Sequence, residues 1–316
     1  MRVLVTGGSS LLGRTVADLL VARGDVVTCF QRSASGSTAT DSRGDIRDRD
    51  AVLAAAEGID AIVHLAALVA PRPAWEDAYA VNVTGTAHVV EAAATCGRLL
   101  HVSSPSVAFD DGPAVGSGAG PAIYGGPDAY SHSKAIAERL VLDRSAAATV
   151  VVRPHLVWGP GDHQLIGRIV DRARQGRLAL PDHGRALVDT TYVDDAAAAV
   201  VAGLDRTADS EEARGRAWVV TGNDPRPLAE LVERILSAAG VDRSVRSMPA
   251  PLAAVAGRVL DRWWPGDEPP LTHFAARQLS VAHWFDQVET QRVLQWAPRV
   301  GIDQGMVRLA AWYAGI

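Results

Sequence analysis

Residues Met1–Gly13 read MRVLVTGGSSLLG, and the order of residue types in this stretch decides the fold. Val3, Leu4 and Val5 form a short aliphatic run of the kind that builds a buried strand. Thr6, Gly7 and Gly8 interrupt it, and an apolar-periodic segment opens after Ser9 and Ser10. The reading is strand, tight glycine turn, helix. Such a turn leaves backbone N–H groups unpaired at a helix start, where the macrodipole adds partial positive charge and glycine permits close approach. It is a cradle for a pyrophosphate. The dinucleotide fingerprint places glycines at Gly7, residue 10 and Gly13, and residue 10 here is Ser. Serine is the smallest polar substitute, so dinucleotide binding is expected to survive, with the Ser10 hydroxyl offered to a phosphate oxygen. An ordinary βα turn would read the same way, and the later segments decide between them.

At 316 residues the chain can form one large α/β body, or a main domain with a smaller lobe. Apolar residues make up 48% and charged residues 21%, with a net charge of −5, so no polycationic surface for nucleic acid is expected. Cys29 and Cys96 stand in apolar surroundings without metal-ligand spacing and read as core thiols; no metal is expected. The amino terminus runs straight into a strand, and no uncharged stretch reaches membrane-spanning length. A cytoplasmic protein with no membrane span is expected.

A second strand is expected at Asp25–Phe30, and its end selects the cofactor. An acidic residue about twenty positions past the glycines holds the adenosine ribose hydroxyls, whereas a basic one accommodates a 2′-phosphate. Gln31 and Arg32 occupy these positions, so NADP(H) is favoured, with NAD(H) as the alternative. Arg14 and Arg43 can assist. Ser33–Ser42 reads as a loop, and a short strand at Gly44–Ile46 would bring Asp45 and Ile46 to the adenine edge. A helix is expected from Arg47 to Glu57. The fourth strand, Asp60–Ala67, ends in Leu65, Ala66 and Ala67, small enough for the backbone to pass close to a flat cofactor. An alanine-rich helix follows around Ala74–Thr95.

The fifth strand, Leu99–Ser103, brings Ser103 and Ser104 to the carboxyl ends of the parallel strands, where ligands bind. A Gly/Pro-rich loop, Asp110–Pro127, leads to Tyr130-Ser-His-Ser-Lys134 at a helix start. Tyr130 and Lys134 stand at i and i+4 and share a face. An ammonium beside a phenol lowers the phenol pKa from about 10 toward neutrality, which would let Tyr130 exchange a proton. Thr149–Arg153 is a sixth strand, followed by a turn with Asp162 as helix N-cap. Alternating strands and helices imply a doubly wound parallel sheet. Beyond it the pattern is mixed: short elements at Leu187–Tyr192, a helix from Asp194, a strand at Trp218–Thr221 and a helix after Pro227. Residues 1–160, with contributions from about 186–222, are expected to form the dinucleotide-binding domain, and 161–316 an interleaved substrate lobe.

With these residues placed, the chain resembles the extended short-chain dehydrogenase/reductases, in the 3β-hydroxysteroid dehydrogenase-like branch of the NAD(P)-dependent epimerase/dehydratase family. The resemblance covers nearly the whole chain: VTGGSSLLG, HLAA, Asn82-Val-Thr-Gly-Thr86, SSPSV with YSHSK, and RPHLVWGPGD, where Trp158 stands in place of a frequent Tyr. It implies an α/β Rossmann-type fold and a Ser–Tyr–Lys triad. Tyr130 would exchange the proton, Lys134 would lower its pKa and contact the nicotinamide ribose, and Ser104, or else Ser103, would orient the substrate oxygen. The cofactor would lie along Gly7, Ser10, Leu11, Leu12, Gly13, Gln31, Arg32, Asp45, Ile46, Leu65, Ala66, Ala67, Asn82, Tyr130, Lys134, Pro154, Leu156 and Val157. Asn82 would support a proton relay or helix geometry, unless it simply satisfies buried backbone. A homodimer through the Tyr130 helix is expected by analogy.

Trp263, Trp264, Phe274, Trp284 and Phe285 are concentrated in the carboxyl-terminal part. They either pack that lobe or line a tunnel for an acyl or sterol chain. With the resemblance, they favour ketone and alcohol interconversion on a bulky hydrophobic small molecule, of β-keto acyl or sterol type. Nucleotide-sugar epimerisation or dehydration with a retained cofactor is the alternative, carried by Arg153, Arg168, Arg172, Arg174 and Arg177. A non-catalytic NADP(H)-binding protein is a third, opposed by the intact Ser104, Tyr130 and Lys134 set.

Overall fold

Val3, Leu4 and Val5 are wholly buried because their strand, β1 (Arg2–Thr6), is the interior of a sheet covered on both faces. Parallel strands in that position carry continuous apolar runs, as β1 does. The structure, a computed structural model, describes residues 1–315 apart from Asp111, Pro127, Asp267 and Glu268. In chain order the first elements are α1 (Leu11–Ala22), β2 (Val26–Gln31), β3 (Thr40–Arg43), α2 (Arg49–Ala55) and β4 (Ala61–His64). Then come α3 (Trp75–Ala78), a π-helical turn at Tyr79–Thr84, α4 (Gly85–Cys96), β5 (Arg98–Val102) and α5 (Ala129–Arg144).

Strands Ala148–Pro154 and Ala217–Val220 complete a seven-stranded parallel sheet, which runs from Ala217–Val220 through Ala148–Pro154, β5, β4, β1 and β2 to β3. Between β1 and β4 the direction of winding reverses. This is the topological switch point at which open α/β sheets bind ligands, and the glycine turn after β1 sits on it. The architecture is a Rossmann-type sheet with a smaller mixed sheet beside it. The latter orders Arg226–Pro227, Leu187–Val188, His283–Phe285 and Ala114–Ser117.

Several boundaries differ from the sequence expectation. The third strand lies at Thr40–Arg43, overlapping the end of the loop expected at Ser33–Ser42, and ends before the strand expected at Gly44–Ile46. Its side chains are largely exposed, so no hydrophobic pattern marks it. Ala114–Ser117 is a strand inside the expected Gly/Pro loop, paired with His283–Phe285; Asp111 and Pro127 of that loop lie outside the described residues. Helix Val193–Asp209 packs on the main sheet, and Val293, Leu294 and Trp296 from beyond residue 222 join the same core. The second core, around Trp158, Ile166, Leu231 and Leu309, fills the smaller lobe. Cys29 and Cys96 are free thiols, the first buried in the core. No described helix is long and apolar enough to cross a membrane.

Candidate active site

The phosphate end is built by glycines that admit no side chain. Gly7 has φ 77°, and a Cβ there would come within 2.7 Å of the Ala66 amide nitrogen. A Cβ on Gly13 would overlap the Gly7 carbonyl oxygen. Ser10, in place of the middle glycine, N-caps α1: its hydroxyl accepts from the Gly13 amide at 3.0 Å and donates to the Gly7 carbonyl at 2.9 Å. The hydroxyl is thus engaged in holding the turn, rather than offered to phosphate as expected. The Leu11 and Leu12 amides belong to the first helical turn, which has no intrahelical partners and is left to meet an anion. The backbone geometry fits a dinucleotide pyrophosphate.

At the adenosine end, Gln31 closes β2 with its side chain buried, and its Nε2 donates to Asp41 at 2.8 Å. Asp41, from β3, also accepts from the Ser35 amide. A carboxylate therefore does stand beside Gln31, contrary to the expectation; it comes from the neighbouring strand, which sequence spacing did not reveal. Arg32 is exposed. Asp45 pairs with Arg47 at 2.6 Å, which with the nearby Arg32 charge holds its carboxyl down at about 2. Ile46 is buried against Gly85, and its carbonyl meets His88 Nδ1 at 3.1 Å.

A buried polar chain joins β1 to α5. The Ala66 amide donates to Thr6 Oγ1 at 3.2 Å, and Thr6 Oγ1 lies 2.7 Å from His64 Nδ1. His64 Nε2 lies 2.9 Å from Thr86 Oγ1, which itself donates to the Asn82 carbonyl. These partners assign His64 a neutral Nε2–H tautomer, and burial, with the Lys134 charge, depresses its pKa to about 3. Asn82, in the π-helical turn, receives the Leu68 amide at 2.7 Å and donates to the Leu68 carbonyl and to Ser133 Oγ. Its amide satisfies buried backbone, the plainer of the two expected roles. Leu65 continues the β4 ladder, its amide donating to the Thr6 carbonyl, and Ala67, two residues on, is half-buried.

The proton-transfer set lies at the carboxyl ends of the strands. Lys134 is 3% exposed and donates to the Val102 carbonyl at 2.8 Å. Burial lowers its pKa to about 8, against the opposing charge of Glu138. Ser104 Oγ receives the Ser106 hydroxyl at 2.9 Å and the Ser106 amide at 3.2 Å, and it stands near enough to the Tyr130 phenol to oppose the rise in its pKa. Ser103 Oγ is buried without a partner. The geometry thus brings Ser104 to Tyr130 and leaves Ser103 aside. Burial pushes the Tyr130 phenol up to about 12, with Ser104 opposing. The expected lowering by Lys134 is absent, because the ammonium is directed at the Val102 carbonyl and desolvation of the phenolate dominates.

Three supporting residues, Asp128, Glu138 and Ser106, carry no expectation from the sequence. Asp128 N-caps α5, accepting from the Tyr130 amide at 2.9 Å and the Ser131 amide at 3.0 Å, and so fixes the turn that carries the phenol. An Asp two residues before a Tyr at a helix start is a legible cap. Glu138 and Arg153, each 1% exposed, form a buried bidentate pair beneath α5, and Arg153 also donates to the Ala119 and Gly120 carbonyls. Ser106 orients Ser104.

Pro154 ends its strand, and Leu156 turns the chain with φ 42°, a left-handed conformation that is costly for a residue with a Cβ. Val157 and Trp158 then pair with Thr191 and Tyr192. Asp162 receives the amides of Gln164, Leu165 and Ile166, so it caps a turn just ahead of helix Ile166–Arg174. The carboxyl-terminal aromatics do not line one common tunnel. Trp263 is 77% exposed, Phe285 is buried edge-on to His155, Trp284 packs over Gly116, and Phe274 meets Phe109 edge-on at 5.8 Å.

A switch-point sheet with a glycine cradle and a Ser–Tyr–Lys set at its strand ends defines a dinucleotide-dependent enzyme, and similarity places it further. Residues 3–220 match the NAD dependent epimerase/dehydratase family. A 2-alkyl-3-oxoalkanoate reductase of Stenotrophomonas maltophilia (strain K279a) is 39% identical over 98% of this chain and 99% of its own. A 4-hydroxy-2-methyl-3-oxo-4-farnesyl-3,4-dihydroquinoline-1-oxide ketoreductase of Stigmatella aurantiaca is 29% identical over 97% of this chain and 95% of its own. The solved UDP-glucuronic acid 4-epimerase from Bacillus cereus, in complex with NAD, shares the fold over 100% of this chain and 99% of its own, with TM-score 0.76 and 18% identity. The chain belongs to the NAD dependent epimerase/dehydratase family. It is an NAD(P)-dependent oxidoreductase of ketones and secondary alcohols.

Proposed function

We propose that the protein reduces the ketone of a bulky, apolar β-keto acyl-type molecule with NADPH. The observation that carries this reading is the placement of Ser104, just after β5, Tyr130, in the first turn of α5, and Lys134, on the Val102 carbonyl, together at the strand ends, with the Tyr130 phenol pushed up to about 12 and so protonated at neutral pH. A protonated phenol is a general acid, the form that ketone reduction consumes. The bound dinucleotide would supply the hydride. Ser104 orients the substrate oxygen and Tyr130 gives it a proton, while Lys134, held on the Val102 carbonyl one helical turn from Tyr130, would contact the nicotinamide ribose. The apolar substrate is supported by the named activities of the two relatives described above and by the exposed apolar side chains of the lobe.

NADP(H) is favoured by Gln31 and Arg32, whose β2 end carries no carboxylate of its own; both oxygens of Asp41 are already engaged with Ser35. The division into residues 1–160 with about 186–222 and a lobe at 161–316, a homodimer through α5, and a cytoplasmic location belong to the same reading.

The test is NADPH oxidation with a long-chain β-keto ester. Tyr130→Phe is expected to lower kcat by about 10² to 10⁴ with NADPH binding unchanged; wild-type turnover in that variant refutes the assignment. Tighter binding of NADPH than NADH, reversed by Gln31→Asp with Arg32→Ser, is expected from nicotinamide fluorescence. Equal binding overturns the NADP preference. Turnover of a nucleotide sugar without net cofactor consumption would replace the reductase by an epimerase.

A further inference from the structure

Helix Ala250–Trp263 is built inside out. Its inward positions are small: Ala253 and Gly257 are buried, and a Cβ on Gly257 would come within 2.7 Å of the Thr272 carbonyl oxygen. The backbone therefore lies directly on the start of helix His273–Gln278. Its large side chains face outward, with Leu252 60%, Val255 55%, Val259 52% and Trp263 77% exposed. At about 3.6 residues per turn these fall in one stripe. Arg258 and Arg262, also exposed, run along one flank of that stripe. The single carboxylate of the helix, Asp261, is turned inward and receives the His273 amide at 2.7 Å. The outward face therefore carries only apolar and cationic side chains, whereas a helix bound for water on that side carries polar ones.

A second copy of the chain fits this face poorly. Two such faces would set arginines against arginines with no carboxylate between them. A helix of 14 residues offers a strip about 21 Å long and about 10 Å wide, about 200 Å², where a stable protein partner covers about 800 Å². We propose that the face docks on an anionic lipid surface. Leu252, Val255, Val259 and Trp263 enter the boundary between headgroups and acyl chains, while Arg258 and Arg262 remain at the phosphates. Arg262 lies over the Trp263 ring at 5.6 Å, which keeps the charge and the amphipathic indole at one depth.

The docked face is one helix from the reacting groups. Phe274 of helix His273–Gln278 packs on Phe109, which closes the 3-10 turn begun at Ser104. Arg72, in the segment after β4, donates to the Asp261 and Gly266 carbonyls and ties the helix end to that segment. Delivery of an apolar substrate from the lipid to the site rests on the ketoreductase reading; the docking itself does not.

The test uses the full chain, sedimented with vesicles of phosphatidylcholine alone or mixed with phosphatidylglycerol. Binding to the mixed vesicles that salt weakens is expected. Arg258→Gln and Arg262→Gln should each lower the partition coefficient about fivefold, and Val259→Ser with Trp263→Ser should abolish it. NADPH binding, unchanged in all variants, shows that they remain folded. The proposal fails if the wild type sediments with neither vesicle, if it binds both equally, or if the variants bind like the wild type. A dimer that Trp263→Ser converts to monomer would also overturn it, assigning the face to a second copy.

Discussion

Ser103 and Ser104 are chemically identical neighbours, and their surroundings separate them. Ser104 is extended at φ −146°, its oxygen accepts from Ser106, and it opposes the rise in the Tyr130 pKa. Ser103 is buried against Ala148–Pro154, with its amide on the Val152 carbonyl and its hydroxyl unpaired. Ser104→Ala should therefore lower kcat on a ketone while leaving NADPH affinity unchanged. Ser103→Ala should leave kcat unchanged and preserve or raise the melting temperature, since removing an unpaired buried hydroxyl relieves a desolvation cost of about 1 kcal/mol or more. Paired kinetics and thermal melts check both; a loss of kcat in Ser103→Ala alone would exchange their roles. Ser10 gives a related lesson. Its hydroxyl, read from sequence as a phosphate donor, closes the turn onto Gly7 and Gly13 instead.

Helix α5 carries Tyr130 in its first turn and is anchored there and at its middle. Asp128 caps it, and Glu138, nearly three turns later, pairs with Arg153 from strand Ala148–Pro154. Removing one member of a buried ion pair strands the other charge, which costs about 3–5 kcal/mol. Glu138→Ala is accordingly expected to lower global stability by that order, as read by denaturant melts. Replacing both, Glu138→Met with Arg153→Met, should recover much of the loss, though the Ala119 and Gly120 carbonyls lose their donor. A double variant as unstable as the single one would assign the loss to those carbonyls rather than to the orphaned charge.

Across the molecule, four histidines are buried and held neutral. Burial depresses His64 and His155 to about 3 and His283 to about 4, and pushes His101 well below the ordinary range. The unfolded chain takes up these protons near pH 6.5. Between pH 6.5 and about 4 the unfolded state therefore binds more protons, so stability falls as pH falls through that window. Melting temperature measured against pH should show an acid limb steeper than one proton accounts for. His64→Asn, which keeps a polar group between Thr6 and Thr86, should flatten it. Lys134 acts at the other end: with its pKa lowered to about 8 from about 10.4 in the unfolded chain, it makes stability rise with pH over that interval.

What the sequence determined by itself is what local chemistry writes. The aliphatic run, Gly7 and Gly13 fix strand, turn and helix, because each depends on residues within a few positions and on φ values that a Cβ forbids. The i, i+4 spacing of Tyr130 and Lys134 and the Asp128 cap are local in the same sense. Tertiary structure alone decided what depends on distant segments. Strand Thr40–Arg43 has exposed side chains and exists because β2 offers its edge, and the carboxylate beside Gln31 arrives with it. Tyr130 has a raised pKa because surrounding elements exclude water from it, and Lys134 does not lower it because the Val102 carbonyl holds the ammonium. Trp263 and Phe285, alike as apolar aromatics in the sequence, end respectively in solvent and in the core. Burial belongs to the packed assembly of elements, and no local pattern of residues specifies which face of a helix that assembly will cover.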